Sequence, residues 1–231
     1  MLTLWKKQPQ KTILFPNQRR NKSIPTSTEE KDLGVIFDTT LKFDLHIDSI
    51  IKKANSMIGL IKRIFSHIDI FIFQHLYKAL IRPHLEYGQI IWSPQFIRQS
   101  KLIENVQRRA TKLVPNLKNL TYSERLKKLN IPTLKYRRIR GNMINVDKIL
   151  NNNKEDSNKL LPLNKSSYKT RGHDRKLEKN RFNCKLRQCS FSVRVTNLWN
   201  SLNNNVTKAD SINLFKKLLD EQLHSLKYIY D

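Results

Sequence analysis

The sequence predicts a mainly α-helical bundle, with a short N-terminal strand and a small β element near residues 178–188. Three observations support this fold class. Apolar residues recur at a spacing of about 3.6 residues over several long stretches. Helix start and stop signals lie between those stretches, including a Thr121–Glu124 capping box and Pro115. Strict alternation of polar and apolar residues is limited to Arg181–Arg187.

The first long helix is expected over residues 44–65, where isoleucines and small apolar residues form one stripe. A second helix is expected over residues 69–81. Pro83 should end or kink it, because proline disfavours helical geometry at the preceding residue, Arg82. The apolar segment from Leu85 to Trp92 is expected to be helical as well.

Further helices are expected along the rest of the chain. One spans residues 100–114 and should bury Leu102, Val106, Ala110 and Leu113. The others are expected at residues 121–129, 133–150, 191–199 and 211–223, the last with Ser211 as its N-cap.

Composition and turn signals divide the chain into four parts. Residues 1–30 are expected to be an ill-ordered basic lead-in, with a short strand at Lys11–Phe15. Residues 31–150 form the helical region, which begins with a strand at Leu33–Phe37. A polar linker at 151–170 precedes a C-terminal part, 171–231, made of a basic strand and helices.

The composition is typical of neither a disordered chain nor a membrane protein, with 39% hydrophobic and 27% charged residues. No apolar run approaches the roughly 20 residues that cross a bilayer. The N-terminus lacks the pattern of a signal peptide. We therefore expect an intracellular protein, nuclear or cytoplasmic and not secreted.

The positive charge is large and uneven. Of a net charge of +25, residues 101–140 hold twelve basic and two acidic residues, and residues 164–190 hold nine and two. Such clustering indicates a polyanionic partner, most simply nucleic acid bound through its phosphates. A solvated basic face is the plain alternative, and an anionic membrane surface is a weaker one.

The candidate nucleic-acid-binding residues are the lysines and arginines of the predicted helix faces and of the alternating segment. Three arginines crowd the start of the 133–150 helix, where cations oppose the helix dipole unless a phosphate lies nearby. The full set is Lys62, Arg63, Arg108, Arg109, Lys112, Arg137, Arg138, Arg140, Arg171, Arg181, Lys185, Arg187 and Arg194.

No catalytic constellation is evident. Metal-dependent polymerisation needs closely placed carboxylates, yet the chain has no Asp–Asp pair. Its five glycines are scattered, so a phosphate-binding glycine loop is not expected. Cys184, Cys189 and His173 offer only half of a zinc site. We expect no enzymatic activity, no cofactor, no metal site and no small-molecule substrate.

An ordered set of short strings resembles the C-terminal part of the reverse transcriptase of non-long-terminal-repeat, jockey-like retrotransposons. They include LYKALIRP at 76–83 and VQRRATKL at 106–113, and their specificity lies in the order of the whole set. The set comprises Lys31–Val35, Phe37–Asp38, His46–Ile47, Leu76–Pro83, Leu85–Tyr87, Trp92–Pro94, Val106–Leu113, Tyr122–Leu126, Ile131–Gly141, Thr170–His173, Phe191–Val195, Trp199–Asn200, Phe215–Lys216 and Leu219–Asp220.

This resemblance implies a thumb-like helical region that follows the polymerase palm and grips an RNA–DNA duplex by its backbone. The palm, with the catalytic aspartates of the family, would lie upstream, so no catalytic residue carries over. Asn203 departs from the family, which usually has proline there, and residues 1–30 match nothing in it.

The leading hypothesis is a truncated, non-catalytic fragment that binds RNA–DNA hybrid or duplex without sequence preference. One alternative is a structural module that docks on a polymerase palm or another protein without binding nucleic acid. An active polymerase or nuclease is a third.

Overall fold

A computed structural model describes residues 27–151, 159–164, 172–179 and 181–229, and every structural statement below concerns these residues. The chain is mainly α-helical, which confirms the predicted fold class. The predicted strand at Lys11–Phe15 and most of the predicted lead-in lie outside the described residues.

The described chain starts with a two-stranded antiparallel hairpin, β1 (Glu29–Asp32) and β2 (Val35–Asp38). Leu33 and Gly34 turn the chain with φ of 45° and 84°. Two consecutive positive φ values suit the right-handed twist of a tight hairpin. The Tyr87 hydroxyl donates to the Leu33 carbonyl at 2.8 Å and fixes the turn to the helices. The N-terminal strand is therefore confirmed within a hairpin.

Helix α1 (Asp44–Ile64) has nearly the predicted bounds. Helix α2 (Ile70–Leu76) continues through a π turn (Tyr77–Ile81) into α3 (Arg82–Glu86). The helix thus passes Pro83 instead of ending there, because the wider π turn accommodates a residue that lacks a main-chain N–H. A short helix α4 (Gln89–Trp92) follows.

The middle of the chain forms α5 (Ile97–Ala110), α6 (Tyr122–Leu129) and α7 (Leu134–Asn151). The predicted capping box of α6 is confirmed: Thr121 accepts from the Glu124 N–H, and the Glu124 carboxylate accepts from the Thr121 N–H at 2.8 Å. The predicted burial of Leu102 is wrong, since α5 turns that residue outward.

The C-terminal part contains α8 (Lys185–Gln188), α9 (Phe191–Asn200), α10 (Asn204–Thr207) and α11 (Ile212–Gln222). Ser211 caps α11 as predicted, accepting from the Leu214 N–H at 3.2 Å. The strand predicted over Arg181–Arg187 is not formed, and its second half is helix α8. The nearby β feature is an isolated bridge between Leu163 and Leu177.

The buried apolar residues form two clusters that divide inside α7. The first extends from Val35 to Leu134, and the second from Tyr136 to Leu223. The body of α7 packs against α9 and α11. The two hydrophobic clusters therefore meet near residue 135, at the start of α7, and the predicted linker at 151–170 stays a prediction.

The end of the described chain returns to the first core. The Thr133 N–H donates to the Lys227 carbonyl at 3.1 Å, and the Tyr228 hydroxyl donates to Asn130 Oδ1 at 3.0 Å. These contacts connect the two cores near the start of α7.

The inner face of α5 carries polar side chains that each bind a different neighbour. Gln99 Nε2 donates to Asp44 Oδ1 at 2.7 Å, at the start of α1. Glu104, with no exposed surface, accepts from the Tyr122 hydroxyl at 2.6 Å and from the Leu134 N–H at 3.1 Å. Gln107 accepts from the Tyr77 hydroxyl. Buried polar groups require such partners, so they set the rotation of α5.

We predict that Glu104→Ala lowers the free energy of unfolding by about 3 kcal/mol, because the Tyr122 hydroxyl and the Leu134 N–H lose their buried acceptor. Urea unfolding followed by circular dichroism measures the change. The control is Glu221→Ala at an exposed carboxylate. Equal effects of the two substitutions would contradict the structural role of Glu104.

Candidate nucleic-acid interface

Helices α1 and α5 lie side by side and run in the same direction. Near their starts, Gln99 contacts Asp44; farther along, Arg109 Nη1 donates to Asn55 Oδ1 at 2.9 Å. From the first contact to the second, the chain advances eleven residues along α1 and ten along α5. Either distance is about 15 Å of helical rise. The exposed side chains of the two helices therefore border a common surface.

The outer side of α5 is a cationic stripe. Exposed residues recur along it at alternating steps of three and four, which places them on one helix face. The Arg108 guanidinium also lies 5.0 Å from the centre of the Tyr122 ring. The α5 stripe consists of Arg98, Lys101, Asn105 and Arg108, and it ends with Lys112 in the 3-10 turn Thr111–Leu113 that follows α5.

Helix α1 contributes a second stripe on the side of Asn55, the residue that contacts Arg109. Lys52, Asn55, Gly59 and Lys62 follow the same three-and-four spacing, and Arg63 is exposed next to Lys62. The two stripes together, with Arg109 between them, are called the α1–α5 surface below.

The cations of the α1–α5 surface are not neutralised within the described part of the chain. None of them forms an ion pair there with a carboxylate. Asp44 and Asp48 are exposed in the first turns of α1, so the surface is acidic at one end and basic over the rest. Clustered, unpaired cations on adjacent helices favour a polyanionic ligand.

The three arginines at the start of α7 have intramolecular partners. Arg137 forms a bidentate ion pair with Glu86, with Nη2 at 2.8 Å from Oε2. Arg140 pairs in the same way with Asp220. Arg138 is buried and donates to Ser100 Oγ at 2.8 Å.

These contacts correct the explanation inferred from the sequence for Arg137, Arg138 and Arg140. Carboxylates 51 and 80 residues away supply the countercharge that a phosphate was expected to provide. Their bidentate pairs join α7 to α3 and α11. Contact with nucleic acid requires an exposed guanidinium that is not already bound within the protein. None of these three arginines provides one.

Arg194 is half-buried as well. Its guanidinium donates to the carbonyls of Cys189, at 3.0 Å, and Ile90, so it connects α9 to the end of α4. Burial lowers the pKa of Arg194 to about 10, which leaves it charged at neutral pH. Its predicted role in binding is not supported by this placement.

The remaining candidates are not gathered into a strip. Arg181 and Arg187 are exposed, but without the predicted strand they do not share a face by alternation. Arg171 and the side chain of Lys185 lie outside the described residues. Their predicted contacts with nucleic acid stay predictions.

In the described ranges, no three histidine, cysteine, aspartate or glutamate side chains gather around a point where a metal ion could bind. His173 is buried, and its Nε2 lies 2.9 Å from the Trp199 carbonyl. His46 is buried beside Trp92 and accepts from the Ile36 N–H at 3.3 Å. Both histidines are therefore packing residues here.

The candidate residues that the structure adds are Lys52, Arg98 and Lys101. These three residues could have been identified from the sequence by their heptad-like spacing, since exposed residues recur every three or four positions along each helix. Charge clustering by segment missed Lys52 and Arg98, because residues 32–100, which contain both, hold eight basic and six acidic residues.

The Arg140–Asp220 ion pair should make the free energy of unfolding depend on pH. Burial opposes ionisation of Asp220, but hydrogen bonds from Arg140 and Tyr136 outweigh it and lower the pKa of Asp220 below 3.8. A lowered pKa contributes stability above the unfolded-state value, and that stability is lost as the pH falls through the folded-state value. Asp220→Asn should therefore cost about 1 kcal/mol at pH 7 and less at pH 3.

Urea unfolding at both pH values measures this difference. Asp210→Asn, at an exposed carboxylate, is the control. A penalty for Asp220→Asn that is the same at pH 3 and pH 7 would contradict the assignment.

Comparison with known proteins finds a similarity to uncharacterized protein B0403.1 of Caenorhabditis elegans, 27% identical over 111 residues. The alignment covers 47% of this chain and 56% of that protein, so the chain spans about half of its relative. No family model and no solved structure matches the chain. In the described residues, no helix combines the length and apolarity needed to span a bilayer.

Proposed function

We propose that the chain binds the sugar–phosphate backbone of nucleic acid, RNA–DNA hybrid or duplex, through the α1–α5 surface and without catalysis. The observation that carries this proposal is the alignment of exposed, unpaired cations on two adjacent parallel helices. The ordered strings quoted above support an origin in the C-terminal part of a retrotransposon reverse transcriptase. A nucleic-acid partner would place the protein in the nucleus or cytoplasm.

Electrostatics favours this ligand over an acidic protein. Lysine and arginine neutralise phosphates and release condensed counterions, and this gives affinity without reading the bases. The α1 stripe from Lys52 to Lys62, about 15 Å long, suits a regularly charged polymer, whose phosphates follow one another along the surface. The proposal therefore predicts steep salt dependence and little sequence preference.

A second candidate function is docking on a polymerase palm or another protein. Exposed apolar side chains near the junction of α1 and α2 favour it: Ile64 is 63% exposed and Phe71 is 68% exposed. Contiguous exposed apolar residues often mark contact sites. Adding the palm in trans separates the two functions, because docking alone predicts protein association without any shift of nucleic acid.

The paired substitution Lys101→Ala and Lys112→Ala tests the proposed function. Each lost phosphate contact should reduce the slope of log affinity against log salt by about 1, so the slope should fall by about 2. Fluorescence anisotropy with a labelled RNA–DNA hybrid across a salt series measures it.

The matched control is Lys148→Ala with Lys217→Ala, which removes the same charge from exposed positions on α7 and α11. It should change the slope by less than the test pair. An identical slope change in both pairs, or an affinity independent of salt, would overturn the proposal.

A further inference from the structure

Gly59 occupies an exposed position within the 21-residue helix α1. A Cβ added there would meet no atom within 4 Å. By contrast, a Cβ at Gly141, inside α7, would lie 2.8 Å from Gln89 Nε2. A side chain at Gly141 would therefore have to displace the end of Gln89, whereas one at Gly59 would displace no described neighbour.

A glycine in a helix interior has an energetic cost. It loses more backbone freedom on folding than alanine does, and it leaves the helix backbone open to solvent. Gly59 has helical geometry and needs no positive φ. The fold would thus be better served by alanine at this position.

The location of Gly59 offers a functional reason for this energetic cost. It lies between Asn55 and Lys62 on the α1 stripe, past the level at which Asn55 contacts Arg109. A residue without a side chain lowers the surface there, between cationic side chains on either side. Close backbone approach to a ligand is a common reason for glycine.

We propose that Gly59 is the point where the nucleic-acid backbone comes closest to the protein, with Lys52 and Lys62 on its two sides. This inference rests on the proposed function and specifies where on α1 the ligand lies. That position, at Gly59 between Lys52 and Lys62, is called the seat below. The backbone lies along α1 from Lys52 to Lys62, and the open Gly59 position admits a sugar–phosphate unit that a side chain would displace.

The test compares Gly59→Ala and Gly59→Gln with the wild-type chain. Both changes favour the helix, so the melting temperature should rise by about 2–4 °C for the alanine variant. Binding to an RNA–DNA hybrid should weaken in proportion to side-chain size, by about tenfold for glutamine. Leu60→Gln, at the adjacent 39% exposed position, introduces the same side chain outside the seat and should leave affinity unchanged.

Lys52→Ala and Lys53→Ala separate this inference from the proposed function. Lys53 is exposed but does not follow the three-and-four spacing of Lys52, Asn55, Gly59 and Lys62, so it lies off the α1 stripe. Lys52→Ala should weaken binding more than Lys53→Ala does.

Four results decide the matter. Weaker binding by Gly59→Gln with unchanged binding by Leu60→Gln supports the seat. Unchanged binding by Gly59→Gln while Lys52→Ala weakens it overturns the seat and leaves the proposed function standing. If none of these variants weakens binding, both fail; a lower melting temperature for Gly59→Ala would show that the fold itself needs the glycine, which also overturns the seat.

Discussion

The buried polar face of α5 is the constraint on which the rest of the architecture depends. Glu104 is fully buried, and the Tyr122 hydroxyl and the Leu134 N–H at the start of α7 donate the hydrogen bonds that its carboxylate needs. Because desolvation raises its pKa, this carboxylate is costly to bury without partners. Together with Gln99 and Gln107, it holds α5 at one rotation against α1, α6 and α7. The outer face of α5 is thereby directed to solvent, and its cations reach the same surface as those of α1.

Two kinds of basic residue result from this arrangement. Arg137 and Arg140 use their fork-shaped donors to bind carboxylates, and they link helices that are far apart in sequence. Arg98, Arg108 and Lys112 have no such partner within the described residues and remain exposed. Some basic residues therefore join helices, and others give the surface a positive potential. Only the exposed residues can bind a polyanion without breaking an ion pair within the protein.

Helix positions could be predicted from the sequence because they depend on local patterns. The stripe of α1, the capping box of α6 and the N-cap of α11 all follow from neighbours within four residues. The failures depend on distant or compensating contacts. Helix continues through Pro83 by means of a π turn, and the alternating segment near Arg187 forms helix instead of pairing as a strand. Alternation of polar and apolar residues is typical of a strand, but it does not supply the second strand with which that strand must pair.

The candidate site could be predicted only in part for the same reason. Arg108, Arg109 and Lys112 were identified by clustering along the chain, but the partners of the α7 arginines lie at Glu86 and Asp220 and could not be inferred from spacing. Conversely, Lys52 and Arg98 lie on neighbouring helices because α1 packs on α5, and the spacing along either helix does not specify that packing.

Lysine reactivity in the presence of an RNA–DNA hybrid tests the central claim most directly. Acetylation read by mass spectrometry, with and without the hybrid, compares individual lysines in the intact protein. The account predicts protection of Lys52, Lys62, Lys101 and Lys112, while Lys53 and Lys148 stay reactive. Equal protection of all lysines, or none at all, would contradict it.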